Sequence, residues 1–168
     1  GKDKNKKKKY IDKIKSDKQK LRDNLQIKKD AMAQIEKLIN KLYSDKNELK
    51  KRQEELAKLR ASQNKPTTDN FAKMKYKLPW PVSGKIVGSF GIQKNKKLNT
   101  EYENIGIDIQ TKENALVYSV LDGVVLSVTS IIGYGNLVIL DHGNGYYTVY
   151  SNLKDINVAE NEYISTAY

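Results

Sequence analysis

Neither glycine nor proline occurs between Lys2 and Lys65, while all 3 prolines and 9 of the 10 glycines lie in residues 66–168. Glycine weakens a helix interior by about 1 kcal/mol and proline by about 3 kcal/mol, so the first segment is free to be one long helix and the second is not. Steps of seven from Ile14 give Ile14, Leu21, Lys28, Ile35, Leu42, Leu49 and Leu56, and a companion series gives Ile11, Lys18, Leu25, Met32, Ile39, Lys46 and Gln53. These are the d and a positions of a left-handed coiled coil sustained over about seven heptads. The spacing predicts a helix from about Tyr10 to Ser62, roughly 80 Å long at ~1.5 Å per residue. Its apolar stripe is too narrow to be buried alone and asks for a partner helix. Lys18, Lys28 and Lys46 interrupt the seam and weaken it.

Charge follows the same division. Residues 1–66 hold 22 basic and 10 acidic side chains, a net +12, whereas residues 67–168 hold 9 and 10, a net −1. A basic helix could attract nucleic acid, but Lys6-Lys7-Lys8-Lys9 and the lysines after it lack interleaved aromatics and any nucleic-acid-binding motif. The expectation is a solvated helix face, or attraction to an anionic membrane or wall polymer.

Gln63-Asn64-Lys65-Pro66-Thr67-Thr68-Asp69-Asn70 reads as a helix stop and polar linker. Beyond it the periodicity becomes alternating. Ile105, Ile107 and Ile109 point one way and Gly106, Asp108 and Gln110 the other; Val124, Leu126 and Val128 repeat the alternation. Asn144-Gly145 between two apolar runs predicts a type I′ hairpin turn, and Asp122-Gly123 predicts a second turn of the same chemistry. The fold class is therefore α+β. Residues 1–65 form a basic coiled-coil helix, 66–78 a linker, and 79–168 an antiparallel β domain.

The chain has no Cys and a single histidine, His142. No disulfide, thiolate zinc site or cysteine nucleophile is available, and no site needing two imidazoles can be built within the chain. No apolar run approaches the ~20 residues that span a bilayer, and Gly1-Lys2-Asp3 opens no signal-peptide core. Gly1 in place of Met points to a cut fragment.

Leu78-Pro79-Trp80-Pro81-Val82-Ser83-Gly84, Ser89-Phe90-Gly91, Gly106-Ile107-Asp108-Ile109, Asp122-Gly123-Val124-Val125, Gly133-Tyr134-Gly135-Asn136-Leu137-Val138-Ile139 and Asp141-His142-Gly143-Asn144-Gly145-Tyr146 follow in order. In order and spacing they resemble the LytM domains, the lysostaphin-type zinc metallopeptidases that cut peptidoglycan cross-bridges. With the coiled coil ahead of it, the whole chain resembles the EnvC-like murein hydrolase activators, whose LytM domain is degenerate. Active members bind zinc through a His-x-x-x-Asp strand and the second His of a His-x-His, and use a further His in a Tyr-Ala-His-Leu segment. Here those segments read Asn104-Ile105-Gly106-Ile107-Asp108 and Tyr150-Ser151-Asn152-Leu153. An amide is a poor zinc donor and cannot take a proton near neutral pH. The resemblance thus implies no catalytic residue, no cofactor and no metal, with Asp108 vestigial and His142 a turn residue. The chain stops about where the last strands and the His-x-His of the family would follow, so the β domain reads as incomplete.

The resemblance further implies a regulator located in the periplasm or outer envelope of a bacterium. Its former active-site groove, lined by Asn104, Asp108, Tyr150 and Asn152, would bind and activate an N-acetylmuramoyl-L-alanine amidase during daughter-cell separation. Its coiled coil would dock on an FtsX-type membrane protein, with peptidoglycan contact a further possibility and no nucleic-acid partner. Two other readings stay open at the level of sequence: a zinc endopeptidase with an altered ligand set, and a scaffold that binds peptidoglycan directly. In the EnvC-like pattern, a helix near the end of the coil lies over the groove at rest.

Overall fold

The computed structural model describes residues 2–62 and 71–166. Two helices, α1 (Lys2–Tyr43) and α2 (Lys46–Ser62), stand where the heptads predict one unbroken helix. The break lies at Ser44-Asp45. Ser44 Oγ donates to the Lys41 carbonyl at 2.7 Å, and Asp45 Oδ1 accepts from the backbone N–H groups of Asn47 at 3.0 Å and Glu48 at 3.2 Å. Asp45 is thus the N-cap of α2, with Glu48 three residues on as in a capping box, and its side chain competes with the backbone for the bonds a continuous helix would make.

Eight strands follow, all paired antiparallel: β1 (Lys85–Gly88) with β4 (Asp108–Gln110), β2 (Gly91–Asn95) with β3 (Thr100–Asn104), and a four-stranded sheet in the order β7-β6-β5-β8. In that sheet β5 is Gly123–Ile131, β6 Gly135–Asp141, β7 Tyr147–Leu153 and β8 Tyr163–Ile164. The β6–β7 hairpin has the predicted type I′ turn. Tyr146 N–H donates to the Gly143 carbonyl at 3.1 Å, with φ of 54° at Asn144 and 81° at Gly145. Asp122-Gly123 differs from expectation, because it leads into β5 from a loop and does not join two strands. A glycine is needed there for close approach: a Cβ would lie 2.7 Å from the Asp141 carbonyl oxygen and 3.0 Å from His142 Nδ1.

The alternation of β5 is also interrupted. Its register with β6 shifts between Val125 and Ser127, so Leu126 turns to one face while Val125 and Val128 pack on the other. One face carries Leu126, Ile131, Leu137 and Ile139; the opposite face carries Val125, Val138 and Leu140, backed by Tyr150, Leu153, Ile156, Val158 and Ile164.

Helix α1 covers the first face. Ala31 and Ile35 are almost wholly buried there, at 0% and 2% exposure, flanked by Met32, Leu38, Ile39 and Leu42. Over this stretch the sheet is the partner of the heptad seam, in place of the expected helix. The dimensions match: Ile27 meets the turn glycine Gly133 and the Tyr43 ring meets Tyr147 edge-on at 5.3 Å. From Ile27 to Tyr43 the helix rises about 24 Å, and seven residues of β6 span about 23 Å. Residues 63–70, which include most of the predicted helix stop and linker, lie outside the described residues. The remainder begins with a short 3₁₀ helix, Phe71–Met74, whose Phe71 ring stacks on Tyr146 at 5.1 Å and leans on His142 at 5.2 Å.

Candidate functional site

Strand β3 ends at Asn104 and β4 begins at Asp108, with a bend over residues 105–107. Ile105, Ile107 and Ile109 therefore do not form the single alternating strand that their spacing predicts. The bend brings Asn104 and Asp108 together: Asn104 Nδ2 donates to Asp108 Oδ2 at 3.0 Å, and Gly106 N–H approaches Asn104 Oδ1 at 3.5 Å. Gly88, opposite Asp108 on β1, makes room for the pair, since a Cβ there would overlap Asp108 Oδ2. Tyr134, on the β5–β6 turn, shares the surroundings of this pair. Burial first, and the negative charge of Asp108 second, push its phenol above the ordinary tyrosine range.

Asn152 meets the same turn through its backbone, donating its N–H to the Tyr134 carbonyl at 2.8 Å. Its φ is 55°, and the register of β6 with β7 shifts between Asn136 and Val138. The simple alternation that would put Tyr150 and Asn152 on one strand face is broken at this point, because a left-handed residue redirects the side chains after it. Tyr150 is half-buried and packs with the second core face. Its hydroxyl accepts from Val120 N–H at 3.0 Å and lies 3.0 Å from Thr148 Oγ1. Thus Asn104, Asp108, Tyr134 and the Asn152 backbone are linked pairwise, whereas the Tyr150 hydroxyl belongs to a different hydrogen-bond network.

That network ends on His142, 3% exposed on the β6–β7 loop. Nδ1 lies 2.8 Å from the Asp122 carbonyl oxygen and Nε2 2.8 Å from Thr148 Oγ1. A carbonyl only accepts, so Nδ1 carries the proton. Burial holds the imidazole below its ordinary pKa, opposed by its bond to Asp122. A neutral ring then accepts from Thr148 at Nε2, and both nitrogens are satisfied within the protein.

Sequence reasoning missed a buried polar cluster. Arg60 on α2, 7% exposed, places Nε 2.7 Å from Asp122 Oδ2 and donates from Nη2 to the His142 carbonyl at 3.0 Å. Tyr163 adds its hydroxyl to Asp122 Oδ2 at 2.9 Å. The signal was present in the heptads: one more step of seven from Gln53 reaches Arg60, a cation in a position that faces inward.

Zinc is the metal that the sequence resemblance raises, and the donor set here does not suit it. The amide nitrogen of Asn104 has no lone pair to offer, and its N–H already occupies an oxygen of Asp108. Among the described residues no three His, Cys, Asp or Glu side chains gather in a group able to hold a metal ion.

Residues 102–167, which contain all four predicted groove residues, match Peptidase family M23. The chain is 33% identical over 89 residues to the cell division protein DipM of Caulobacter vibrioides, covering 52% of this chain and 14% of that protein. It is 32% identical over 84 residues to the murein hydrolase activator NlpD of Escherichia coli, covering 49% and 20%. The outer membrane antigenic lipoprotein B of Histophilus somni is 31% identical over 98 residues, covering 58% and 26%. The chain thus spans between about a seventh and a quarter of the length of these relatives. Among solved structures, Helicobacter pylori Csd3 aligns with a TM-score of 0.46 and 24% identity, over 53% of this chain and 26% of that one.

Proposed function

We propose that this chain, whose C-terminal part is a family M23 (LytM) domain related to DipM and NlpD, regulates peptidoglycan hydrolysis without cleaving it. In this reading it activates an N-acetylmuramoyl-L-alanine amidase in the bacterial envelope during cell division. The observation that carries the reading is the Asn104–Asp108 pair. Where active relatives would hold metal, an amide caps the carboxylate at 3.0 Å, and no imidazole stands there to serve as base or ligand. Asp108 is exposed, Asn104 is half-buried beside it, and Asn152 beside the Tyr134 turn is exposed, so Asp108 and Asn152 leave part of the old catalytic surface open to a protein partner. Tyr150 would support that surface from beneath through its bonds to Val120 and Thr148.

The long basic helix serves in this reading as the docking arm toward an FtsX-type membrane protein. Among the described residues no helix is long and apolar enough to cross a membrane itself. Restraint of the groove by the helices is supported by the path of α1, which passes the Gly133-Tyr134 turn at Ile27.

The reading is tested with dye-labelled sacculi, a purified zinc-dependent amidase and this chain. The chain alone should release no dye, and the chain with amidase should release more than amidase alone. Asp108→Lys should reduce the stimulation at least tenfold while leaving the circular dichroism unchanged. Dye release by the chain alone, or stoichiometric zinc after dialysis, would refute the non-catalytic assignment; equal rates with and without the chain would refute the activator role.

A further inference from the structure

Strands β1 and β4 form a two-stranded ribbon with two different faces. Asp108 and Ile109 are successive residues of β4, so their side chains leave opposite sides of it. The Asp108 side carries the bond to Asn104 at 3.0 Å and belongs to the groove. On the other side Ile109 stands directly across from Ile86 of β1. This pair lines a cleft of about 510 Å³, within the range of about 300–1,000 Å³ usual for small-ligand sites. Residues 80–84, ahead of β1, and Leu116 and Tyr118, in the loop after β4, complete the lining. Tyr118 N–H donates to the Pro81 carbonyl at 2.8 Å and ties the two segments together. Gly84 seats the first of them on β4, since a Cβ there would overlap the Gln110 carbonyl oxygen. Backbone contacts therefore build the cleft before any ligand arrives.

The lining is aromatic and aliphatic, yet it faces water. Trp80 is 64%, Leu116 69% and Tyr118 47% exposed. Among the described residues no Asp, Glu, Lys or Arg lines the cleft, in a chain of which 30% is charged. A charged ligand would lose hydration there without meeting a counter-charge, so the chemistry calls for a neutral one. The Trp80 indole N–H, the Ser83 hydroxyl and the Tyr118 phenol supply hydrogen-bonding groups among the apolar surfaces. An acyl chain has no use for such groups and is better served by an enclosed slot than by an open cleft. A β-linked pyranose uses both kinds of surface. Its axial C–H groups make an apolar face that lies flat on an aromatic ring, while its equatorial hydroxyls reach polar groups and water. An acetamido substituent adds a methyl group that suits Ile86 and Ile109.

We infer that this cleft is a glycan subsite for a neutral β-linked N-acetylhexosamine chain, the backbone chemistry of peptidoglycan, with Trp80 and Tyr118 as its stacking surfaces. The choice of ligand rests on the envelope role proposed above. The site itself is separate from the groove, because it lies on the ribbon face opposite Asp108. The domain would thus hold the wall polymer on one face while the other engages a protein partner.

The chain has a single tryptophan, so Trp80 emission reports on this cleft alone. Titration of the whole chain with chitotetraose should give a saturable blue shift as the indole leaves water. Cellotetraose, which lacks the acetamido groups, should bind at least tenfold more weakly. Leu116→Asp keeps the reporter, changes an exposed position and should weaken chitotetraose at least tenfold, with circular dichroism and thermal unfolding as folding controls. In calorimetry Trp80→Phe, which retains a flat ring, should bind within a few fold of the parent, and Trp80→Ala should lose binding. No response to chitotetraose at millimolar concentration would overturn the inference, as would equal affinity for cellotetraose or an undiminished response in Leu116→Asp. A shift produced by phosphatidylglycerol vesicles or by raised protein concentration, with none from chitotetraose, would assign the cleft to lipid or to a second copy instead. The titration contains no amidase, so its failure leaves the activator reading standing, and failure of the dye-release assay leaves a chitotetraose response standing.

Discussion

Arg60→Met is the most informative single change, because it removes the charge that joins α2 to the β sheet while keeping an unbranched apolar stem. Arg60 and Asp122 are both 7% exposed, at an Nε–Oδ2 separation of 2.7 Å. Removal of one partner of a buried pair leaves the other charge in a poorly solvated place and typically destabilises by about 3–5 kcal/mol. Loss of the bond to the His142 carbonyl adds to this. For a chain of this size each kcal/mol lowers Tm by about 2–4 °C, so the expected drop is about 6–20 °C. Asp122→Asn added to Arg60→Met should recover part of the loss, since a neutral amide needs no counter-charge and still accepts from Tyr163. Tyr163 supplies a second readout. Burial, then its hydrogen bond to Asp122 and the charge of Asp122, push its phenol from 10.0 up to about 12. A raised folded-state pKa means the associated stability is intact below about pH 10 and is lost as pH rises toward 12. Chemical denaturation of the parent and the two variants, followed by circular dichroism at pH 7.5 and pH 11, measures both effects. If Arg60→Met unfolds within about 1 kcal/mol of the parent, or the double variant is no more stable than the single, the latch contributes nothing and the argument fails.

His142 gives a single imidazole resonance, since the chain has one histidine. Its ¹H NMR titration should report a pKa below the ordinary 6.5. By linkage, the stability tied to the neutral ring is full above about pH 6.5 and declines as pH falls through the folded value; a midpoint at or above 6.5 would contradict the buried, neutral assignment. Asp45→Ala removes the cap of α2 and should destabilise by about 1 kcal/mol in urea denaturation, within the usual 0.5–2 kcal/mol for N-caps. An unchanged midpoint would mean that the corner between the helices is set by packing alone.

Much of the architecture was legible because it rests on local chemistry. The Gly- and Pro-free stretch became helix, and Asn144-Gly145 became the turn that only residues tolerant of positive φ allow. The errors share a cause, which is competition from a side chain or a register shift that periodicity does not register. Ser44-Asp45 preserved the seven-residue spacing while its hydrogen bonds ended the helix. Leu126 changed face at a register shift that one strand cannot reveal without its neighbour. The pairing of Asn104 with Asp108 was within reach of their four-residue spacing, but the bend that creates it was read as continuous strand. The Arg60–Asp122 contact joins residues 62 apart, beyond any local rule. The partner of the seam over Ala31–Leu42 was likewise invisible, since an apolar stripe states that something covers it without saying whether that is helix or sheet.

The way α1 lies along the sheet also fixes how it bears force. From Ile27 to Tyr43 the helix runs the length of β6, so a pull along its axis loads Ala31, Ile35, Leu38 and Leu42 together, in shear. A sideways pull would instead peel those contacts one after another. A force along the helix axis is therefore borne by all four contacts at once, whereas a force that levers across the sheet meets them singly.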